Sequence, residues 1–530
     1  MLGPIVGVAD DGVRILFEAD DARALELEVA AERDPSPRDQ GSRWTDPPED
    51  GSWEPVPGVR VRRDRLEGQV TRFLITGLDD HRAYRYRVFD RDRRQPVPGA
   101  LGRFRPTPLH ADGARQAFLL VSCNKIDAYP ASVRQQRYDR MWERLAQEID
   151  RDPSIRFVLH AGDQVYCDAA WDPVSTEFQK AVGKQPMRRR EAWYAAQRPL
   201  WMMRYRERYV EAWQHEAVER VLRSVPNIMM CDDHDIHDGY GSRATDAWTF
   251  APSLARVAFE VFDRYQGALN PAPNLGTGSR GFSMRALGAR FVVLDGRSQR
   301  RTRPPQVLGP AQLDKLRAVV DAHRAEDGPL FVVSTTPLFN FLLEKSFRNS
   351  LIRKLGSLTE LRDDLRDAWG DKYNLPELAR LLDILSSARK RAVSPVVALG
   401  GDIHLHHLSS WTDAAGNDRI HQAVSSPFTN QPISKRGLKV AYDIKPGDHF
   451  PNRDHVFSER TARLAWLAPR RGFTKVSVDP SADGKAAVEV SYFLEEPSEK
   501  VDDTQGASAT EMREQRFGCD DTGWVELGAG

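Results

Sequence analysis

Five short segments of this sequence concentrate side chains that can hold a cation or move a proton. They are Ser122-Cys123-Asn124, Gly162-Asp163-Gln164-Val165-Tyr166, the acidic string Asp232 to Asp238, Asp295-Gly296-Arg297, and Gly401-Asp402-Ile403-His404. An aspartate can bridge two cations through its two oxygens, a tyrosine offers a phenolate to a hard trivalent ion, and thiolate and imidazole are softer donors. Between Asp232 and Asp238 stand four carboxylates and two imidazoles. Packed so closely they would repel one another unless cations or partners compensated them. Each segment also has a plainer reading: Cys123 as a small buried hydrophobe, Tyr166 as a turn residue, the acidic string as a solvated loop, Arg297 as an ion-pair partner of Asp295, and His404 as a satisfied core histidine. Only their combination argues for chemistry.

The elements around them favour that combination. The apolar stretches AFLLVS, RFVLHA, NIMMC, RFVVLD, LFVVST and VVALGG read as strands, alternating with helical periodicity. In the first intervening helix Tyr138, Met141, Trp142, Leu145 and Ile149 share one face. This predicts a layered α/β domain whose strands end in the polar segments above. Loops at the carboxyl ends of such strands meet at one edge of the sheet, where ligands bind. Gly162 would let the backbone approach a ligand closely. Asp402 and His404 would face one side of an extended chain. An Arg such as Arg297 beside a cation site can clamp a phosphate by paired hydrogen bonds.

The ordered set of motifs resembles the calcineurin-like metallophosphoesterase superfamily and, within it, the alkaline phosphatase D (PhoD-like) family. The residues that carry the likeness are Cys123 at the first strand end, GDQVY at 162–166, Asp232-Asp233-His234-Asp235, GDIH at 401–404, LDGR with its trailing arginines, STTPL at 334–338 and SSPFTN at 425–430. The resemblance implies a four-layer sandwich, two mixed sheets flanked by helices, and hydrolysis of phosphate monoesters or diesters by a metal-bound hydroxide. As metal ligands it implies Cys123, Asp163, Tyr166, Asp233, Asp402 and His404. It implies Fe3+ with Ca2+ as cofactors, with Mn2+, Mg2+ or Zn2+ as alternatives. Cys123, Tyr166, His404 and a bridging Asp163 suit Fe3+, and the oxygen set Asp163, Asp233 and Asp402 suits Ca2+, Mg2+ or Mn2+. His234 would protonate or orient the leaving oxygen, Asp235 would fix the His234 ring, and Arg297 would hold a non-bridging oxygen. STTPL lacks the histidine that many superfamily members place there.

The 530 residues allow one large domain with an accessory module. Residues 1–108 read as a β-sandwich similar to a fibronectin type III module, with a tyrosine corner in Val70 to Val88. Residues 112–495 read as the catalytic domain, interrupted by helical insertions at 175–223 and 339–391, and 496–530 as a loosely held extension. The insertions read either as lids or, preferably, as helices with Trp193, Trp201, Tyr205 and Trp213 facing the core. Lys plus Arg and Asp plus Glu both number 76, which excludes a global field for nucleic acid or an anionic membrane. The expected partner is a small phosphate ester, in a soluble cytoplasmic protein without a signal peptide. Neither a secretory disulfide framework nor a CxxC pair is present among Cys123, Cys167, Cys231 and Cys519. Three other readings compete. An HD-type phosphohydrolase would need the string His234 to Asp238 on helices. A dinucleotide site at Gly276, Gly278 and Gly281 would need a strand before the glycines and a helix after them, not the strand FSMRAL. The third is a catalytically inactive phosphoesterase fold that only binds.

Overall fold

The computed structural model describes residues 2–19, 24–32, 43–46, 53–66, 69–110, 113–126, 134–182, 185–243, 246, 251–339, 367–371, 373–390, 395–412, 419–434, 438, 453–457, 460–480, 487–495, 512–520 and 523–528. Seven strands come first: β1 (Leu2–Ala9), β2 (Gly12–Glu18), β3 (Leu25–Glu32), β4 (Arg60–Arg65), β5 (Val70–Thr76), β6 (Ala83–Asp90) and β7 (Gln95–Phe104). Then follow β8 (Gln116–Val121), α1 (Arg134–Arg151), β9 (Ile155–His160), α2 (Asp168–Val182), α3 (Met187–Trp213), α4 (Glu216–Leu222), β10 (Asn227–Met229) and α5 (Ala251–Tyr265). The next stretch holds β11 (Phe282–Ala286), β12 (Ala289–Val293), the short pair β13 (Arg301–Thr302) and β14 (Pro305–Gln306), α6 (Pro310–Ala322), β15 (Leu330–Val333) and α7 (Leu375–Lys390). The last strands are β16 (Val396–Gly400), β17 (His406–Thr412), β18 (Arg419–Val424), β19 (Arg453–Phe457), β20 (Arg460–Ala468), β21 (Gly472–Asp479), β22 (Ala487–Glu495), β23 (Met512–Asp520) and β24 (Gly523–Gly528).

Two large mixed sheets dominate. One has eleven strands in the order β24-β23-β22-β21-β8-β9-β10-β1-β2-β5-β4, the other eight in the order β11-β12-β15-β16-β18-β17-β20-β19. A shared core of Phe118, Leu120, Phe157, Leu159, Phe291, Val293, Phe331, Val333, Val397 and Leu399 joins their facing sides. On the other face of the larger sheet, Leu119, Val121 and Val158 meet Tyr138, Met141, Trp142 and Leu145 of α1. Trp201, Tyr205 and Trp213 of α3 belong to that same core, so α2 to α4 are packing helices, as their aromatic pattern suggests. On the other face of the smaller sheet, α6 and α7 pack Leu316, Leu381 and Leu385 against Val332, Val396 and Ala398. Of the second insertion, residues 340–366, 372 and 391 lie outside the described residues. Strands buried on both faces read as continuous apolar runs, which is why they stood out in the sequence. Among the described residues no helix is long and apolar enough to cross a membrane.

The N-terminal strands enclose a core of their own, with Val13, Ile15, Phe73, Ile75, Tyr84, Tyr86 and Phe104. They nevertheless split between two sheets. β3, β6 and β7 form a small sheet, whereas β1, β2, β5 and β4 continue the larger one, because β1 runs parallel to β10 with Gly7 opposite Asn227. The Tyr84 hydroxyl accepts the Asp79 N–H at 2.8 Å, the backward bond of a tyrosine corner. The extension beyond residue 495 differs from the loose tail expected of its polar composition: β23 pairs with β22 from Met512 to Cys519, and β24 pairs with β23.

Candidate metal centre and active site

The carboxyl ends of β8, β9, β10 and β16 converge, and the turns that follow them carry Cys123, Asp163, Asp232 with Asp233, and Asp402 with His404. Among the described non-glycine residues six have positive φ, and four of these are Cys123, Asp163, Asp402 and His404. Left-handed backbone costs a β-substituted residue energy and persists where surrounding structure over-determines it. That geometry corrects the expectation of an extended chain at 402–404: two left-handed turns bring Asp402 and His404 to the pocket. The glycines serve protein packing. A Cβ on Gly162 would lie 2.6 Å from the Asp232 Cβ, and one on Gly401 would lie 2.1 Å from the Ser122 Oγ.

Asp163 sits at the centre. Its Oδ2 accepts the Tyr166 hydroxyl at 3.3 Å and the Cys123 thiol at 3.7 Å. The loop 425–430 closes over this side, its Asn430 N–H bonding the Cys123 carbonyl at 3.1 Å. The Asn430 Nδ2 donates to the Tyr166 Oη at 2.9 Å and to the His404 Nε2 at 3.2 Å. Cys123, Asp163, Tyr166 and His404 are thus brought to one place, with Asn430 tying two of them together. On the opposite side, ligand atoms of Asp163, Asp232, Asp233 and Asp402 all lie within 4.8 Å of one another, as do those of Asp163, Asp233 and His234.

The acidic string divides its charges among separate partners. Asp232 is ion-paired with Arg297. Asp233 Oδ2 accepts the Gly239 N–H at 2.6 Å. His234 Nδ1 donates to Asp168 Oδ2 at 2.8 Å, and its ring packs 4.2 Å from that of Tyr166. Asp235 is turned away, accepting the Asp232 N–H at 2.9 Å and the Gln266 side chain at 2.6 Å. Asp235 as the residue that fixes the His234 ring is therefore corrected to Asp168, which opens α2 and gives no signal in the short motifs. Arg297 is also corrected. It is 1% exposed and ion-paired with Asp232 and Asp367, so it is a buried brace and no phosphate clamp. Its expected partner Asp295 takes the Arg297 backbone N–H, at 3.1 Å, and not the guanidinium, and also accepts the backbone N–H groups of Arg280 and Ser298. His406 and His407 are buried in β17, and burial pushes both imidazoles down to about 3.

Electrostatics match this layout. Burial raises Asp163 and Asp402 well above the carboxylate range, and neighbouring carboxylates add to it: Asp233 on Asp163, Asp232 and Asp233 on Asp402. Burial also pushes the Cys123 thiol up to about 12. Burial works against a charged His234, but Asp168, Asp233 and Asp163 outweigh it and raise the ring well above the usual imidazole range. Two buried oxygens, Asp163 Oδ1 and Asp232 Oδ2, accept no hydrogen bond among the described residues. Buried orphan acceptors in a cluster of repelling carboxylates are what cations would satisfy. The donor set fits metal ions. Around it lies a cavity of about 710 Å³, lined also by Lys125, Asp168, Trp171, Asp172, His237, Asp238, Arg243 and Pro432. Asp232, Asp168, Lys125 and Asn430 are the site residues that motif reading left unassigned.

A family profile described as PhoD-like phosphatase matches residues 118–485, more than half of the chain. A solved structure described as "Structure of PhoD" superposes with a TM-score of 0.62 at 15% sequence identity, covering 99% of this chain and 91% of that one. At that identity the likeness speaks for the fold. No curated protein matches the sequence.

Proposed function

The chain belongs to the PhoD-like phosphatase family, and on that footing we propose that it hydrolyses phosphate esters, mono- or diesters, in the pocket between Tyr166 and Asp233. The observation that carries this reading is the convergence of four carboxylates, three of them buried and two with orphan oxygens, beside His234, whose imidazole is raised by the surrounding carboxylates. We read the architecture as the four-layer sandwich of that family, with a fibronectin-III-like module in residues 1–108. Cys123, Tyr166, His404 and Asp163 would hold one ion, best Fe3+. Asp163, Asp233 and Asp402, now joined by Asp232, would hold a second, best Ca2+, with Mn2+, Mg2+ or Zn2+ as alternatives. Bound there, such ions supply Lewis-acid compensation for charge developing on the phosphoryl oxygens.

The protein's own residues do the rest. His234, its Nδ1 engaged by Asp168, has Nε2 left to give a proton to the leaving oxygen. Trp171 and Pro432 supply apolar wall beside the reacting group. Asn430 orients Tyr166 and His404 by donating to both. The test is direct. Purified protein should carry stoichiometric metal by mass spectrometry and turn over nitrophenyl mono- or diesters, losing activity with a chelator. Metal-free protein with no turnover under any added ion would refute the reading.

A further inference from the structure

Lys125 has an unusual position among the cations of the pocket. Arg243 is held by Asp238 at 2.7 Å and His234 by Asp168 at 2.8 Å, while the Lys125 ammonium makes no hydrogen bond or ion pair among the described residues. It lies 5.0 Å from the Tyr166 ring centroid, over the ring face. Its base is rigid. The neighbouring Asn124 donates to the Tyr138 hydroxyl at 2.8 Å and to the Gln164 carbonyl at 3.2 Å, and accepts from Trp142 and Thr429, both at 3.2 Å. The Lys125 carbonyl accepts the Thr429 hydroxyl at 3.4 Å. Backbone is therefore fixed on both sides while the head group can turn into the cavity. Its positive charge is felt there: it contributes to holding Asp168 down and to lowering His404.

Among the described residues six carboxylates line the same cavity: Asp163, Asp168, Asp172, Asp233, Asp238 and Asp402. Of the described cations there, Lys125 is the one that anionic substrate meets not already engaged by a carboxylate. We propose that Lys125 contacts a non-bridging oxygen of the substrate and reads the second negative charge of a phosphate monoester, biasing the site toward monoesters over diesters. This rests on the phosphoesterase reading of the pocket. An ammonium is a compact point charge without the bidentate geometry of arginine, so it discriminates by charge rather than by shape. A monoester carries about two negative charges near neutral pH and a diester one, in keeping with the acidity of phosphate monoesters.

Steady-state kinetics on nitrophenyl phosphate and bis(nitrophenyl) phosphate would compare wild type, Lys125→Gln and Lys125→Arg, with calorimetry of inorganic phosphate binding to each metal-loaded protein. A charge-assisted hydrogen bond predicts that Lys125→Gln lowers the monoester-to-diester ratio of kcat/KM by roughly tenfold or more. Phosphate affinity should fall by a similar factor, and Lys125→Arg should keep most of both. An equal loss on both esters with unchanged phosphate affinity would make Lys125 a brace for Tyr166 and overturn the proposal. So would a wild-type ratio in Lys125→Gln, which would leave the esterase reading standing. Phosphate binding that depends on Lys125 in a protein that turns over no ester would support the anion contact and overturn the esterase reading instead.

Discussion

Asp168 and His234 form a closed pair at the rim of the pocket, with the His234 Nδ1–H donated to Asp168 Oδ2 at 2.8 Å. The other oxygen of Asp168 accepts the Asp238 N–H at 2.6 Å, so the carboxylate is fixed at both ends. Burial acts to raise Asp168, but the charge and hydrogen bond of His234 dominate and hold it below the usual range. A carboxylate so placed sets the orientation of the ring and which nitrogen is left for chemistry.

If His234 protonates a leaving oxygen, loss of Asp168 should matter most where that proton is needed most. An alkoxide leaves poorly without a proton, while nitrophenolate leaves without one. Asp168→Asn is expected to lower kcat for an alkyl phosphate by about a hundredfold, and for nitrophenyl phosphate by roughly tenfold less than that. Parallel kinetics on the two esters measure the difference. Equal losses would make Asp168 a purely structural residue.

Arg297 gives the opposite kind of prediction. Its guanidinium is buried between Asp232 and Asp367, with Asp233 at 3.5 Å. Removing one member of a buried ionic cluster leaves uncompensated charge and costs about 3–5 kcal/mol. Arg297→Met should therefore lower the unfolding free energy by that amount, seen as a lower midpoint in urea unfolding of the metal-loaded protein. A clamp on substrate would instead raise KM and leave the unfolding curve in place.

The contrast between Arg297 and Asp168 shows what was legible in the sequence. Strand ends could be read because β8, β9, β10 and β16 are continuous apolar runs, so Asp163, Asp233, Asp402 and His404 could be assigned to one edge. Side-chain direction could not. Asp235 lies one residue from His234, yet accepts from the Asp232 N–H and Gln266, while the true partner stands 66 positions earlier in the chain. Arg297 has Asp295 two residues away and pairs with Asp232, 65 positions away, and with Asp367, 70 positions away. Short-range spacing carries the turn, and tertiary packing chooses the partner. The strands β23 and β24 were missed for a related reason: at the margin of the larger sheet, with one solvated face, they lack the apolar run that marked the others.

Asn430, the last residue of SSPFTN, ties two candidate ligands together. Asn430→Ala removes the donor to both the Tyr166 Oη and the His404 Nε2. Loss of a group that orients ligands typically costs about 10–100-fold in metal affinity or activity. The variant should lose metal to a chelator roughly tenfold faster than wild type, followed by mass spectrometry over time. Unchanged retention together with unchanged turnover would remove Asn430 from the site.

A final prediction concerns stability far from the pocket. His215 precedes α4, and both its ring nitrogens have acceptors: Asp139 Oδ1 lies 3.0 Å from Nδ1, and the Glu211 carbonyl 3.1 Å from Nε2. Two acceptors suit the doubly protonated ring, and the hydrogen bond to Asp139 raises His215 above the usual imidazole range while burial opposes it. A histidine raised on folding contributes stability that is fully present below its unfolded value of about 6.5 and is lost as pH rises through the folded value. The pair joins α1 to the start of α4 and is half-buried, so its contribution is under about 1 kcal/mol. Urea midpoints of wild type and His215→Gln should differ near pH 6 and converge as pH rises toward 9. A difference that grows with pH would reverse the sign and show that His215 folds neutral.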